Sequence, residues 1–98
     1  MKYDTFCPVC GYELGFLPWE DELPSDEICP SCGIQFGYDD IAGRDEVERA
    51  IIYQAWRQKW IAEGMKWHSK ETSQPDGWDP SHQLEKVKYR WVGPISSV

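Results

Sequence analysis

The chain has 98 residues, 41% of them hydrophobic and 28% charged, with a formal net charge of −7. That length bounds the protein to one domain with a modest core, in which a metal cross-link would count for much of the stability. No stretch approaches the ~20 consecutive apolar residues of a membrane helix, and no apolar leader or cleavage signal is visible at the N-terminus, so a soluble, cytoplasmic protein is expected.

The charge is unevenly spread: residues 1–46 hold eleven acidic and two basic residues, whereas residues 47–98 hold six acidic and eight basic. The acidic set around the cysteines includes Glu20, Asp21, Glu22, Asp26, Glu27, Asp39 and Asp40. Such a surface repels phosphate, which argues against a nucleic-acid role and fits steering of a basic protein partner or a solvated acidic loop.

In chain order, the first signal is Cys7-Pro8-Val9-Cys10-Gly11, matched by Cys29-Pro30-Ser31-Cys32-Gly33, with 18 residues between Cys10 and Cys29. Two C-x-x-C words at this spacing suit two short turns that each give a pair of thiolates to one tetrahedral ion. Glycine after each pair supplies the positive φ a tight turn needs, and proline inside each pair removes an N–H that would otherwise require a partner. Cys7, Cys10, Cys29 and Cys32 are therefore the expected metal ligands. Two disulfides are the competing use, favoured in secreted domains; redox use of a single pair lacks the surrounding βαβ pattern. Four bound thiolates add four negative charges and one divalent ion offsets two, which takes the net charge from −7 to −9.

Thr5 to Phe16 is expected to form a hairpin carrying the first knuckle, with Leu14 and Phe16 on one face. Glu20 to Glu27 is expected as an exposed loop, and Ile28 to Tyr38 as a second hairpin with Ile34 and Phe36 on one face. A helix over 45–63 follows, with Asp45 as its cap, acids Glu46 and Glu48 in its first turn and Gly64 as its stop. Two apolar rows run along it, Val47-Ile51-Ala55 and Ile52-Trp56-Trp60. These predict one flank against the ribbon and another against the C-terminal segment, with Trp56 and Trp60 in the core.

After Met65 the chain reads as loop. Asp79-Pro80 then marks the start of a short helix over 80–87. Val87, Tyr89 and Trp91 alternate with Lys86, Lys88 and Arg90, which predicts a short strand or extended tail with one apolar and one basic face. This face is a weak single-strand nucleic-acid signal, and a solvated outer face is the plainer reading. His68 and His82 lack local partner sets and are expected as surface or outer polar groups. No Ser/His/acid set and no Gly-rich phosphate loop appears, so catalysis is not expected.

The words CPVCGY and ICPSCG resemble the knuckles of rubredoxin and rubrerythrin, a likeness that implies iron and one-electron transfer. The segment between the knuckles is shorter than in rubredoxins, and Ile28 stands where an aromatic residue would precede the second knuckle. Both points favour zinc. Residues 6–84, through Phe36-Gly37-Tyr38-Asp39-Asp40, WRQKWIAEGMKW and GWDPSHQL, resemble small bacterial cysteine-rich, CPCC-like proteins. No enzymatic activity is implied by that likeness, and some small acidic proteins of this sort act as immunity partners of toxins.

The fold class expected is small α+β: a four-cysteine zinc ribbon over 1–43 packed on a long helix over 44–64, then loop, short helix and tail over 65–98. The function expected is a non-enzymatic zinc-ribbon protein that binds a protein partner, a basic one by charge, as an inhibitor or immunity factor. A rubredoxin-like iron carrier is the alternative, and a nucleic-acid-binding ribbon the third reading.

Overall fold

Two short turns, rather than a sheet, form the centre of the fold. The computed structural model describes residues 5–20, 23–41 and 46–88. Within them the architecture is small α+β: a two-stranded antiparallel hairpin, β1 (Trp19–Glu20) and β2 (Leu23–Pro24), then helices α1 (Glu46–Ala62) and α2 (Pro80–Lys88).

The two cysteine segments are built alike. Cys7 N–H donates to Tyr12 O and Gly11 N–H to Cys7 O, both at 2.8 Å; Cys29 N–H to Ile34 O and Gly33 N–H to Cys29 O repeat this at 2.8 Å. Gly11 and Gly33 hold φ of 86° and 85°, which a side-chain-bearing residue adopts only at a cost. Each knuckle closes with one isolated bridge, Phe6 to Glu13 and Ile28 to Gln35, rather than with the longer hairpins expected. Ile34 and Phe36 are fully buried, while Leu14 and Phe16 are half-buried.

The expected loop over Glu20–Glu27 is in part ordered pairing, with Trp19 opposite Pro24 and Glu20 opposite Leu23. Its anchor is Asp40, a fully buried carboxylate. Trp19 Nε1–H and Tyr53 O–H donate to its Oδ2 at 2.7 and 2.6 Å, and Gly37 N–H donates to its Oδ1 at 2.6 Å. Three donors compensate a charge that burial alone would make costly. The Arg49 guanidinium stacks over the Trp19 ring at 3.8 Å, covering the same anchor.

α1 ends as its sequence requires. Gly64, at φ 99°, donates to Ile61 O, and Met65 N–H reaches back to Trp60 O at 2.8 Å, bonds that satisfy the last carbonyls of a helix. The cap expected at Asp45 lies outside the described residues. α1 buries one face, not two: Ala50, Tyr53, Arg57 and Trp60 are buried, whereas Val47 and Ile51 are 59% and 58% exposed and Ala55 is exposed. The expected second flank is thus corrected. Among the described residues the two helix backbones do not come together, and no described part of the C-terminal segment covers the Val47 row. Both helices meet the knuckles instead, and Leu84 and Val87 of α2 join Val9, Phe36, Tyr53 and Trp60 in one apolar cluster around the cysteines.

α2 begins where Asp79-Pro80 predicts, with Asp79 Oδ1 accepting from His82 N–H at 3.2 Å. It runs to Lys88, so Lys86, Val87 and Lys88 are helical and the strand expected there is corrected. Val87 turns fully inward and Lys86 faces the Phe6 ring at 5.8 Å, so the two do not form the alternating face expected of an extended segment. Tyr89, Arg90 and Trp91 lie outside the described residues. No described helix is long and apolar enough to cross a membrane.

Candidate metal centre

The knuckles bring Cys7, Cys10, Cys29 and Cys32 together so that their sulfurs all lie within 4.8 Å of one another. Across the knuckles, Cys7 Sγ is 3.8 Å from Cys32 Sγ and Cys10 Sγ is 3.7 Å from Cys29 Sγ. A disulfide requires about 2.05 Å, and all four cysteines are free. The same distances suit a shared ion: a tetrahedron with sulfur about 2.3 Å from its centre has edges of about 3.8 Å. All four side chains are buried. Four thiolates fill a tetrahedron and leave no open position, so the cluster can hold a metal ion in a closed coordination sphere.

Much of the support comes from outside the knuckles. On the first, Arg57 of α1 donates through Nε to Val9 O at 2.7 Å and through Nη2 to Pro8 O at 2.9 Å. Gln83 of α2 donates to Cys10 O and to Ser31 Oγ, each at 3.1 Å, and so ties the two knuckles together. Trp78 Nε1–H in turn donates to Gln83 Oε1 at 2.7 Å, which fixes the orientation of that amide. On the second, Trp56 Nε1–H donates to Cys32 O at 3.0 Å, and the backbone N–H groups of His68 and Ser69 both donate to Pro30 O, at 3.1 and 2.9 Å. Within the first knuckle, Val9 N–H points at Cys7 Sγ at 3.4 Å, the contact by which a metal-binding turn stabilises a thiolate.

Electrostatics follow from crowding and burial. Without an ion, burial and hydrogen bonding to neighbouring sulfurs hold the Cys7 thiol well above its ordinary value, and burial first of all does the same to Cys32. Burial pushes Cys10 upward too, but hydrogen bonds from Cys29, Cys32, Cys7 and Ser31 outweigh it and hold Cys10 well below the ordinary value. Packed sulfurs share what little negative charge they can carry, and a cation relieves that frustration. Burial pulls the Arg57 guanidinium down from its ordinary value while Cys7, Cys10 and Cys32 push it back up. Arg57 stays protonated and places a positive charge against the thiolate cluster. Burial, with the Asp40 carboxylate second, pushes the Tyr53 phenol far up, so Tyr53 remains a donor.

The four ligand candidates picked from sequence are thus brought together, and both histidines lie at the surface. His68 is exposed and packs its ring over Gly33; His82 is exposed and 3.9 Å from Glu85. The supports Arg57, Gln83, Ser31 and Asp40 all stand inside the quoted words, but nothing in those words marks them as partners of the cysteine turns. For Arg57 a signal exists: Ala50, Tyr53, Arg57 and Trp60 lie on one helical line, and a charge on an otherwise inward row points to a buried partner.

No protein-family model matches the chain, and neither curated proteins nor solved structures yield a match.

Proposed function

We propose that the chain is a non-enzymatic zinc protein in which one Zn²⁺, held by Cys7, Cys10, Cys29 and Cys32, fixes an acidic surface that binds a protein partner. The observation that carries the metal half is the convergence of four buried, unbridged sulfurs at tetrahedral-edge distances, 3.8 and 3.7 Å across the knuckles. Bound there, zinc would supply cross-linking and no chemistry, because a sphere of four thiolates offers no site for water or substrate. The chain's own groups do the rest: Arg57 offsets thiolate charge, while Gln83 and Trp56 satisfy knuckle carbonyls as the helices dock.

The partner half rests on the excess of acid over base in residues 1–46, eleven to two in sequence; Asp40 is buried, and Glu13, Glu20, Asp26 and Glu27 are the exposed acids on the described part of the segment that the ion would cross-link. A rigid surface of one sign favours fast, salt-dependent encounter with a basic partner, in the manner of an inhibitor or immunity factor. Metal analysis of protein purified under reducing conditions is the first test. One zinc per chain in a colourless protein is expected; a red protein absorbing in the visible and carrying iron replaces this reading with an electron carrier.

A further inference from the structure

The β1–β2 hairpin and the approach to the second knuckle enclose an open groove of about 590 Å³, lined by the half-buried Phe16, Leu17 and Pro24 and the exposed Leu23, Glu20 and Glu27. That volume lies within the roughly 300–1,000 Å³ of ligand clefts. Leu23 stands 71% exposed at its lip, a large apolar side chain left in water. Among the described lining residues the only charged ones are the two glutamates. The residues joining the two strands in sequence are Asp21 and Glu22.

The hairpin and loop that line the groove are held by several contacts. Trp19 is tied to the buried Asp40, and the Pro24 ring sits so close on Gly37 that a Cβ there would fall 2.5 Å from it. Ser25 N–H donates to Pro18 O at 2.9 Å, Glu27 N–H to Ser25 Oγ at 3.2 Å, and the Gln35 amide to Asp26 O at 3.2 Å. Asp26 itself adopts a φ of 65°, an uncommon conformation for a residue with a side chain. A rim fixed in this way loses little entropy when something binds to it.

We infer that this groove receives an extended segment of a basic partner protein, one large apolar side chain entering against Leu23, Phe16 and Pro24 while flanking lysine or arginine side chains meet Glu20 and Glu27. This rests on the protein-binding reading above and gives it a place and a chemistry. The apolar floor supplies attraction that salt does not screen, and the carboxylate edges supply the sign discrimination.

The test uses the full-length, metal-loaded protein and a random heptapeptide library displayed on phage, followed by anisotropy titrations with the enriched peptide in synthetic form. The expected consensus pairs a Leu, Phe or Trp with Lys or Arg on either side. Glu20→Gln with Glu27→Gln should weaken binding about tenfold and flatten its salt dependence. Leu23→Ser should weaken it about fivefold at every salt concentration, and Glu63→Gln, just past the end of α1, should leave it unchanged. Metal content and circular dichroism confirm that each variant is folded. A consensus without basic residues, binding indifferent to the groove substitutions, or no enrichment at all overturns the groove. Salt-dependent capture of a specific partner from native extract by the Leu23→Ser protein, equal to that by the unaltered protein, removes the groove while leaving the wider protein-binding reading intact.

Discussion

The two knuckles share one backbone hydrogen-bond pattern, yet they are closed by different neighbours. The first lies beneath helices, where Arg57 and Gln83 side chains occupy the carbonyls of Pro8, Val9 and Cys10. The second is closed mainly by a loop, where the His68 and Ser69 backbone N–H groups take Pro30 O, while from the helices the Trp56 indole takes Cys32 O and Gln83 reaches Ser31 Oγ. A local word is enough to shape a metal-binding turn, whereas the outer closure belongs to whichever element the rest of the chain delivers. The ligand sites should therefore respond alike to substitution and their supports unequally.

The largest effect tests the likeness. Cys7→Ser and Cys29→Ser should each abolish tight metal binding and remove a contribution of order 10 kcal/mol, leaving a chain without fixed aromatic circular dichroism near neutral pH. Retention of stoichiometric zinc by either variant would break the equivalence. Arg57→Met comes next. It leaves two buried carbonyls unmet and removes the positive charge beside the thiolates, with an expected cost of about 3–5 kcal/mol and a roughly 10- to 100-fold loss of metal affinity. Urea unfolding and competitive chelator titration check both figures.

The glycines sharpen the contrast. A Cβ at Gly11 would lie 2.2 Å from the backbone oxygen of Gln83, which cannot move without α2; at Gly33 it would lie 2.6 Å from the His68 imidazole, which is exposed and can swing aside. Gly11→Ala should cost about 3 kcal/mol and Gly33→Ala only the roughly 1–2 kcal/mol of its backbone conformation. Adding His68→Ala to Gly33→Ala should recover nothing further, and equal costs at the two glycines would sink the asymmetry. Trp56→Phe, which removes one donor from Cys32 O, should cost about 1–2 kcal/mol.

The smallest effect near neutrality is that of pH, and the two states of the protein differ most on the alkaline side. In the metal-free fold Cys7 and Cys32 are held above the ordinary thiol value of 9.0. Above that value the unfolded chain releases protons that Cys7 and Cys32 retain, so their contribution is full below it and is lost as pH rises, whereas Cys10, held below it, contributes stability that is lost as pH falls. Tyr53, also raised, adds to the fall above its ordinary value of 10.0. The metal-loaded protein should instead weaken as pH falls, because protons compete for the thiolates. Thermal melts across pH with and without chelator should diverge in this way.

The knuckles, the span of both helices and the Gly64 stop are legible in the sequence because each depends on neighbours within a few positions. The buried face of α1 is not, because hydrophobicity along that helix is a poor guide to burial. Val47 and Ile51 are apolar and face water, while Arg57 is charged and lies inside, compensated by carbonyls 48 and 49 positions away. The β1–β2 pairing is hidden for a similar reason: an acidic run reads as loop, and its anchor Asp40 lies 21 positions from the indole that donates to it. Val87 fits an alternating strand on pattern alone, but the capped start at Asp79-Pro80 carries the helix through it.

Gln83 reaches back 73 positions to the carbonyl of Cys10. On the ribosome, the cysteines of both knuckles are made long before that amide is synthesised. A nascent chain can load its ion early, but it does so with part of the first knuckle still wet, and the finished enclosure waits for α2 to emerge.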